Sequence, residues 1–373
     1  MINPRADRIV TRVDVMLTLG TIHQMTGKVD TTDIFDERGN WRSPTITEIA
    51  RASGCSTATV DRVLNERSGV RDVTRKRVLD ALSSLTIESS TDAASCLKIA
   101  FLSDSGAAFN HSLREGVNAY QAAYPNLELS FDSVLTTEVK PVQFAQQIER
   151  FSQDVDGLVL VAREDLTINR AVRAVTARGV PVVCVTTDLP NSRRIAYIGN
   201  DQTGAGSTAA CLMGTSISSS NSRVLLVISA PYRCQEEREL GFRRVLRSEH
   251  PSLTVEERVS SNDDFEYTYR NVRNYIRDHG PPGGIYNVAG GNTGIAEALR
   301  DEGLRDDVTF IGHELNSNSR ILLETGGMDF VIGHDLDREI GFSIECLRAS
   351  LKKQDLPNIP SMPVRIFTKY NCF

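Results

Sequence analysis

The sequence of 373 residues lacks any apolar run near the ~20 residues that a bilayer-crossing helix needs. Its first twenty residues, MINPRADRIVTRVDVMLTLG, scatter charges among the apolar positions, so a secretory leader and a membrane anchor are not expected, and a cytoplasmic protein is. The seven cysteines (55, 96, 184, 211, 234, 346 and 372) are odd in number, and none stands in a Cys-x-x-Cys pair. That spacing argues against a disulfide frame or a thiolate metal site, and for small buried side chains in a reducing compartment. A dinucleotide fingerprint is incomplete: Gly204-Ala205-Gly206 has no third glycine in register. No His-x-x-x-His pair supports a metal set from His313, Glu314 and His334, and no Ser-His-Asp combination has support for a nucleophile. The expectation is a protein without cofactor or metal that works by binding, not by turnover.

What the sequence does have is concentrated in residues 43–85. Thr45-Ile46-Thr47-Glu48 is a capping box, in which a hydroxyl and a carboxylate satisfy the free amides of a helix start. Ile46, Ile49 and Ala50 share one face, and Gly54 suits a left-handed helix stop. Ser56 can cap a second helix whose buried stripe is Val60, Val63 and Leu64, and Val78, Leu79 and Leu82 mark a third. Two crossed helices about a glycine turn make a helix-turn-helix, whose second helix can lie in the DNA major groove. Thr57, Ala58, Thr59 and Arg62 face outward there, and an arginine matches a guanine edge with two hydrogen bonds. Between Trp41 and Leu82 eight basic residues outnumber five acidic ones, in a chain whose net charge is −6. A basic head on an acidic body fits DNA binding confined to one end. A surface helical hairpin without a DNA role is the plainer alternative.

The run Thr-Ile-x-Glu-Ile-Ala-x-x-Ser-Gly-Cys-Ser-x-x-Thr-Val-x-Arg-Val-Leu-Asn, followed by Gly-Val-Arg-x-x-Thr-x-x-Arg-Val, resembles the DNA-binding headpiece of lactose-repressor (LacI) family regulators. The resemblance implies that Thr57, Ala58 and Arg62 read bases, and that Ser56, Thr59, Asn65, Thr74 and Arg75 support the helix or touch phosphates, with Thr47 at the same face. Two positions depart from it: Asp61 puts an acid between the readers, and Arg71 stands where a capping serine usually opens the third helix. Residues 1–42 read as a polar N-terminal extension, either a tail or an arm packing through Trp41. Residues 86–96 read as a linker by composition. In the family a hinge helix there wedges a leucine into the minor groove, but this linker is short and acidic, and Leu97 opens the next strand.

From residue 97 to 373 short apolar strands alternate with amphipathic helices, five strands in a first set and six in a second. Such alternation predicts two parallel sheets flanked by helices, with ligands beyond the carboxyl ends of the strands. The whole is expected to be an all-α helix-turn-helix headpiece followed by an α/β body of two lobes, about 97–200 and 201–315, with later segments crossing between them. The body resembles the ribose-type periplasmic sugar-binding proteins, through Gly-Val-Pro-Val-Val ending at Asp188, Tyr-Ile-Gly-Asn-Asp, Arg238-x-x-Gly241-Phe242, GIYNVAGGN and Phe-Ile-Gly-His-Glu. Strand ends supply Phe109 as a stacking wall, Asp188, Arg238, Asn287, Asn292, Glu314 and His334. Carboxylates, amides and a guanidinium around an aromatic suit a carbohydrate or polyol, whose hydroxyls each donate and accept. By the resemblance Asp188, Arg238, Glu314 and His334 fall at ligand contacts, although the family commonly has Asp and Gln where Glu314 and His334 stand. The implied partners are a near-palindromic double-stranded operator, a small effector and a second copy of the chain. A sugar receptor with no DNA role, a Rossmann-like enzyme and a DNA-binding regulator of a non-sugar ligand are the rivals.

Overall fold

The computed structural model describes residues 45–64, 69–89, 96–217, 222–360 and 362–373. The extension 1–42, Asn65 and the end of the linker (90–95) lie outside the described residues. The chain divides into two compact units, Met1–Ser95 and Cys96–Phe373.

The first unit holds α1 (Ile46–Ser53), α2 (Thr57–Leu64) and α3 (Asp72–Ser89). Thr45 accepts from the Glu48 amide, Glu48 reaches back to the Thr45 amide at 2.7 Å, and Gly54 ends α1 at φ 63°. Ile49, Ala50, Val60, Val63, Val78 and Leu82 form the core, so each helix buries its own apolar stripe against the other two. Arg77 of α3 donates from Nη2 to the carbonyls of Ser53 (3.0 Å) and Gly54 (3.4 Å), fastening the turn that sets the crossing of α1 and α2. The third helix runs to Ser89, into the stretch whose composition reads as linker.

The second unit begins with β1 (Leu97–Ser105), α4 (Ala107–Ala123), β2 (Leu127–Leu135), α5 (Pro141–Phe151), β3 (Gly157–Val161), α6 (Leu166–Ala177), β4 (Val182–Val185) and β5 (Ala196–Ile198). These strands make a five-stranded sheet in the order β2-β1-β3-β4-β5, parallel throughout. All of β3 and β4 is buried, as expected of strands covered on both faces. The chain then builds α7 (Gln202–Ser216), β6 (Arg223–Ile228), α8 (Arg233–Glu249), β7 (Thr254–Ser260), α9 (Phe265–His279), β8 (Gly284–Asn287), α10 (Asn292–Asp301), β9 (Thr309–His313), α11 (Ser317–Glu324) and β10 (Phe330–Gly333). It finishes with α12 (Leu336–Leu351), which packs on α4 and on β3, β4 and β5, and with β11 (Arg365–Phe367) back in the second sheet.

The second sheet is six-stranded, β11-β10-β9-β8-β6-β7. It is not wholly parallel as the alternation predicts, because β11 pairs antiparallel with β10. The cause is topological: β11 is reached from the other lobe, with no covering helix on its own sheet to bring the chain round to the parallel start. The backbone therefore passes between lobes after β5, after β10 and after α12. Two of these passages lie side by side, bridged at Asn200 and Met362.

Gly206, from the run that suggests a dinucleotide loop, has a packing role, and Gly241 shares it. A Cβ on Gly206 would lie 1.8 Å from the Arg238 carbonyl oxygen, and one on Gly241 would lie 2.0 Å from that of Thr203. Both let α7 and α8 touch backbone to backbone, which seats Arg238 at the cleft.

Candidate DNA-reading face and effector cleft

On the headpiece, Thr47, Ser56, Thr57, Ala58 and Arg62 are exposed and Thr59, Thr74 and Arg75 are half-buried. The Ser56 hydroxyl accepts from the Thr59 amide at 3.2 Å and shares a hydrogen bond with the Thr59 hydroxyl at 2.9 Å, which fixes the start of α2. The amides of Thr74 and Arg75 both donate to the Arg71 carbonyl at 2.9 Å, so the backbone opens α3 where the resemblance leads one to expect a serine side chain. Short side chains at the start of α2 followed one turn later by a long basic one leave room for close approach to a groove floor.

In the body a cleft opens between the carboxyl ends of the two sheets. Its lining includes Phe109 from α4, Thr186 and Thr187 after β4, Arg238 from α8, Asp263 after β7, Asn292 from α10 and Glu314 after β9. Four of the seven residues picked from the sequence, Phe109, Arg238, Asn292 and Glu314, are thus brought together. Arg238 is buried (3%), and a bare guanidinium there would be prohibitive. It is satisfied by donating from Nε to Gln202 Oε1 (2.8 Å), from Nη1 to the Val288 carbonyl (3.0 Å) and from Nη2 to Glu314 Oε1 (3.3 Å). Asn292 donates to the His313 carbonyl (3.0 Å) and accepts from Asn287 (2.7 Å).

Three sequence candidates stand elsewhere. Asn287 is fully buried under the cleft floor, where it donates to the Gly290 carbonyl (3.0 Å) and accepts from the Ala289 amide (3.2 Å), shaping the Ala-Gly-Gly turn. His334 sits behind Glu314 with its side chain 3% exposed. Asp188 is not a lining residue: both its oxygens are taken by Arg194, with Nη2 at 2.6 Å from Oδ2 and Nε against Oδ1. That fork-to-fork pairing uses the carboxylate's acceptor capacity away from the cleft.

Residues that the sequence reading passes over complete the mouth. The Tyr232 hydroxyl donates to the Asp104 carbonyl (2.6 Å) and meets the Thr136 hydroxyl at 2.5 Å, joining the second lobe to the first. Asp263, in the left-handed region at φ 53°, accepts from the Gly290 amide at 2.7 Å. Burial raises its carboxyl above the usual range although the Gly290 hydrogen bond pulls the other way. Burial alone would also raise Glu314, but the charge and hydrogen bond of His334, with Arg238 beyond, bring it down to about 2. Glu314 is therefore a charged acceptor, with Arg238 as its counter-ion. Burial holds His313 neutral, well below the ordinary imidazole value, and its Nε2 meets the Tyr286 hydroxyl at 2.8 Å. Among the described residues no cluster of His, Cys, Asp and Glu has the arrangement of a metal site.

A two-lobed cleft of this build defines a ligand-binding fold, and known proteins bear that out. The periplasmic binding protein domain family matches residues 99–355, and the bacterial regulatory proteins of the lacI family match residues 45–86. The chain belongs to the periplasmic binding protein domain family and carries a lacI-family headpiece. It is a helix-turn-helix transcriptional regulator with a ligand-binding body. A relative, the probable HTH-type transcriptional repressor ExuR of Bacillus subtilis, is 20% identical over 72% of this chain and 81% of its own. The glucose-galactose binding protein GanP of Geobacillus stearothermophilus is 15% identical and superposes with a TM-score of 0.67 over 74% of this chain and 99% of that one. A putative LacI transcriptional regulator from Bacteroides fragilis is 18% identical with a TM-score of 0.64, over 74% of this chain and 98% of that one. At such identities the superpositions speak to fold. Among the described residues no helix is long and apolar enough to cross a membrane.

Proposed function

We propose that this regulator represses transcription as a cytoplasmic homodimer on a near-palindromic operator, and that a sugar or polyol in the cleft sets its affinity for that operator. Its parts are an N-terminal extension (1–42), a headpiece (43–85), a linker (86–96) and an effector body (97–373). The observation that carries the effector half is the pairing of buried Arg238 with the ionised acceptor Glu314 at the meeting of the two lobes. Beside Phe109 they form a donor-and-acceptor wall with an aromatic face, the chemistry that a polyhydroxylated ring needs. In the headpiece, Thr57, Ala58 and Arg62 read base edges, while Thr47, Ser56, Thr59, Asn65, Thr74 and Arg75 order the helix starts or meet phosphates. One headpiece covers about half an operator, so two copies are needed. The effector acts by population shift: it binds one lobe arrangement better, and the preferred arrangement changes the spacing of the paired headpieces. No step of this scheme makes or breaks a covalent bond.

Two measurements test the reading. Selection of duplexes from a random pool should return a two-fold-symmetric site, and a single unpaired half-site would remove the dimer. A thermal-shift screen of sugars and polyols should raise the melting temperature selectively. A rise with non-sugar metabolites alone would keep the regulator and replace its effector.

A further inference from the structure

Behind Glu314 the hydrogen bonds close into a ring that spans both lobes. Glu314 Oε2 meets His334 Nε2 at 2.8 Å, and His334 Nδ1 meets Glu339 Oε1 at 2.7 Å. Glu339 Oε2 accepts from the Thr186 hydroxyl at 2.7 Å, and the Thr186 carbonyl accepts from Gln202 Nε2 at 2.9 Å. Gln202 returns the ring to Arg238 and so to Glu314. Thr186 and Glu339 belong to the first lobe, whereas Gln202, Arg238, Glu314 and His334 belong to the second. Glu314 and Thr186 are also held at positive φ, 67° and 62°, a conformation that non-glycine residues keep only where their surroundings impose it.

We propose that His334 is a positioning residue for the cleft: by holding Glu314 on one ring nitrogen and Glu339 on the other, it aims the Glu314 acceptor at the effector and ties it to the opposite lobe. This rests on the effector reading above. Each ring nitrogen meets a carboxyl oxygen, and an imidazole that donates from both nitrogens carries a positive charge. The other groups facing it are Arg238 and Cys234 of α8 and the neutral His313. Burial works against the imidazolium, but Glu314 and Glu339 outweigh it and hold the ring well above its ordinary 6.5. Since the folded value is the raised one, the contribution is complete below about 6.5 and is lost as pH climbs through the folded value.

The test uses the full chain. In protein labelled with 15N-histidine, the ring of His334 should stay doubly protonated at pH 7, above its ordinary value of 6.5. Titration near 6.5, or a single neutral tautomer at pH 7, would overturn the proposal. His334→Gln and Glu339→Gln are then compared with the parent for D-allose, D-arabinose and D-tagatose at pH 6 and pH 9. The proposal expects Glu339→Gln, which never reaches the cleft, to weaken whichever sugar binds by several-fold. It expects His334→Gln to weaken that sugar at least tenfold and to flatten any fall in affinity that the parent shows between pH 6 and pH 9. Unchanged affinity and an unchanged profile in both variants would sink it. If no sugar or polyol of the thermal-shift screen raises the parent's melting temperature, the sugar reading fails, while the imidazole titration still decides the role of His334. Should His334→Gln not fold, that titration and Glu339→Gln carry the decision.

Discussion

The headpiece and the body handle their polar side chains in opposite ways. On the headpiece Thr57, Ala58 and Arg62 are exposed, and the helix beneath them is set by caps a few residues away. In the cleft Arg238 and Glu314 are committed to partners far off in sequence before any ligand arrives. A surface that meets a hydrated polyanion can leave its donors to water. A cavity that strips water from a small molecule must bring its own counter-charges. The first arrangement makes affinity tunable residue by residue; the second makes it collective.

The largest expected effect lies in the body. Arg238→Ala removes the cation from Glu314 and a donor from Gln202, and should cost about 3 kcal/mol in denaturation, near the low end for a broken buried pair because Glu314 keeps His334. Effector response should vanish with it, while operator binding without effector survives; loss of both together would break the contrast. Next comes Arg62→Ala, which should weaken operator binding by roughly 1–3 kcal/mol and relax one base position, read by duplex selection. The body's melting should not move, and an unchanged base preference would remove Arg62 as a reader.

A smaller effect is expected from Arg77→Ala, about 1 kcal/mol of headpiece stability, since the turn after α1 loses its side-chain donor. Operator affinity should fall uniformly across sequences, and a change in base preference would mean that Arg77 reads DNA itself. Asp188→Ala should do least, about 1 kcal/mol or less from the pair with Arg194. Effector titration should be normal, and a lost response would restore Asp188 to the cleft.

The parts legible in the sequence are those decided within one helical turn or one strand. The Thr45–Glu48 box, the Gly54 stop and the Ser56 cap all act over four residues or fewer, and the structure forms each of them. Strand-helix alternation gave the two sheets and the side on which a cleft must open, which is why Phe109, Arg238, Asn292 and Glu314 could be chosen from their places at element ends. Asp188 was chosen for the same reason, but the structure leaves it out of the lining: it ends a strand, and Arg194 folds back onto it from six residues on. Tyr232 and Thr136 are 96 residues apart, and nothing local signals that their hydroxyls meet. Asp263 could have been suspected from Asn262-Asp263 in a polar turn, two residue types that tolerate a left-handed backbone. The antiparallel β11 was out of reach because its direction follows from a return across the lobes.

The threefold passage of the backbone between the lobes limits what an effector can do. Two bodies on one string could slide or drift apart; stitched three times along a common edge, with two stitches joined at Asn200 and Met362, they are tethered like the boards of a book to its spine. A molecule between the pages therefore works against a spine that is already bound, not against two loose boards.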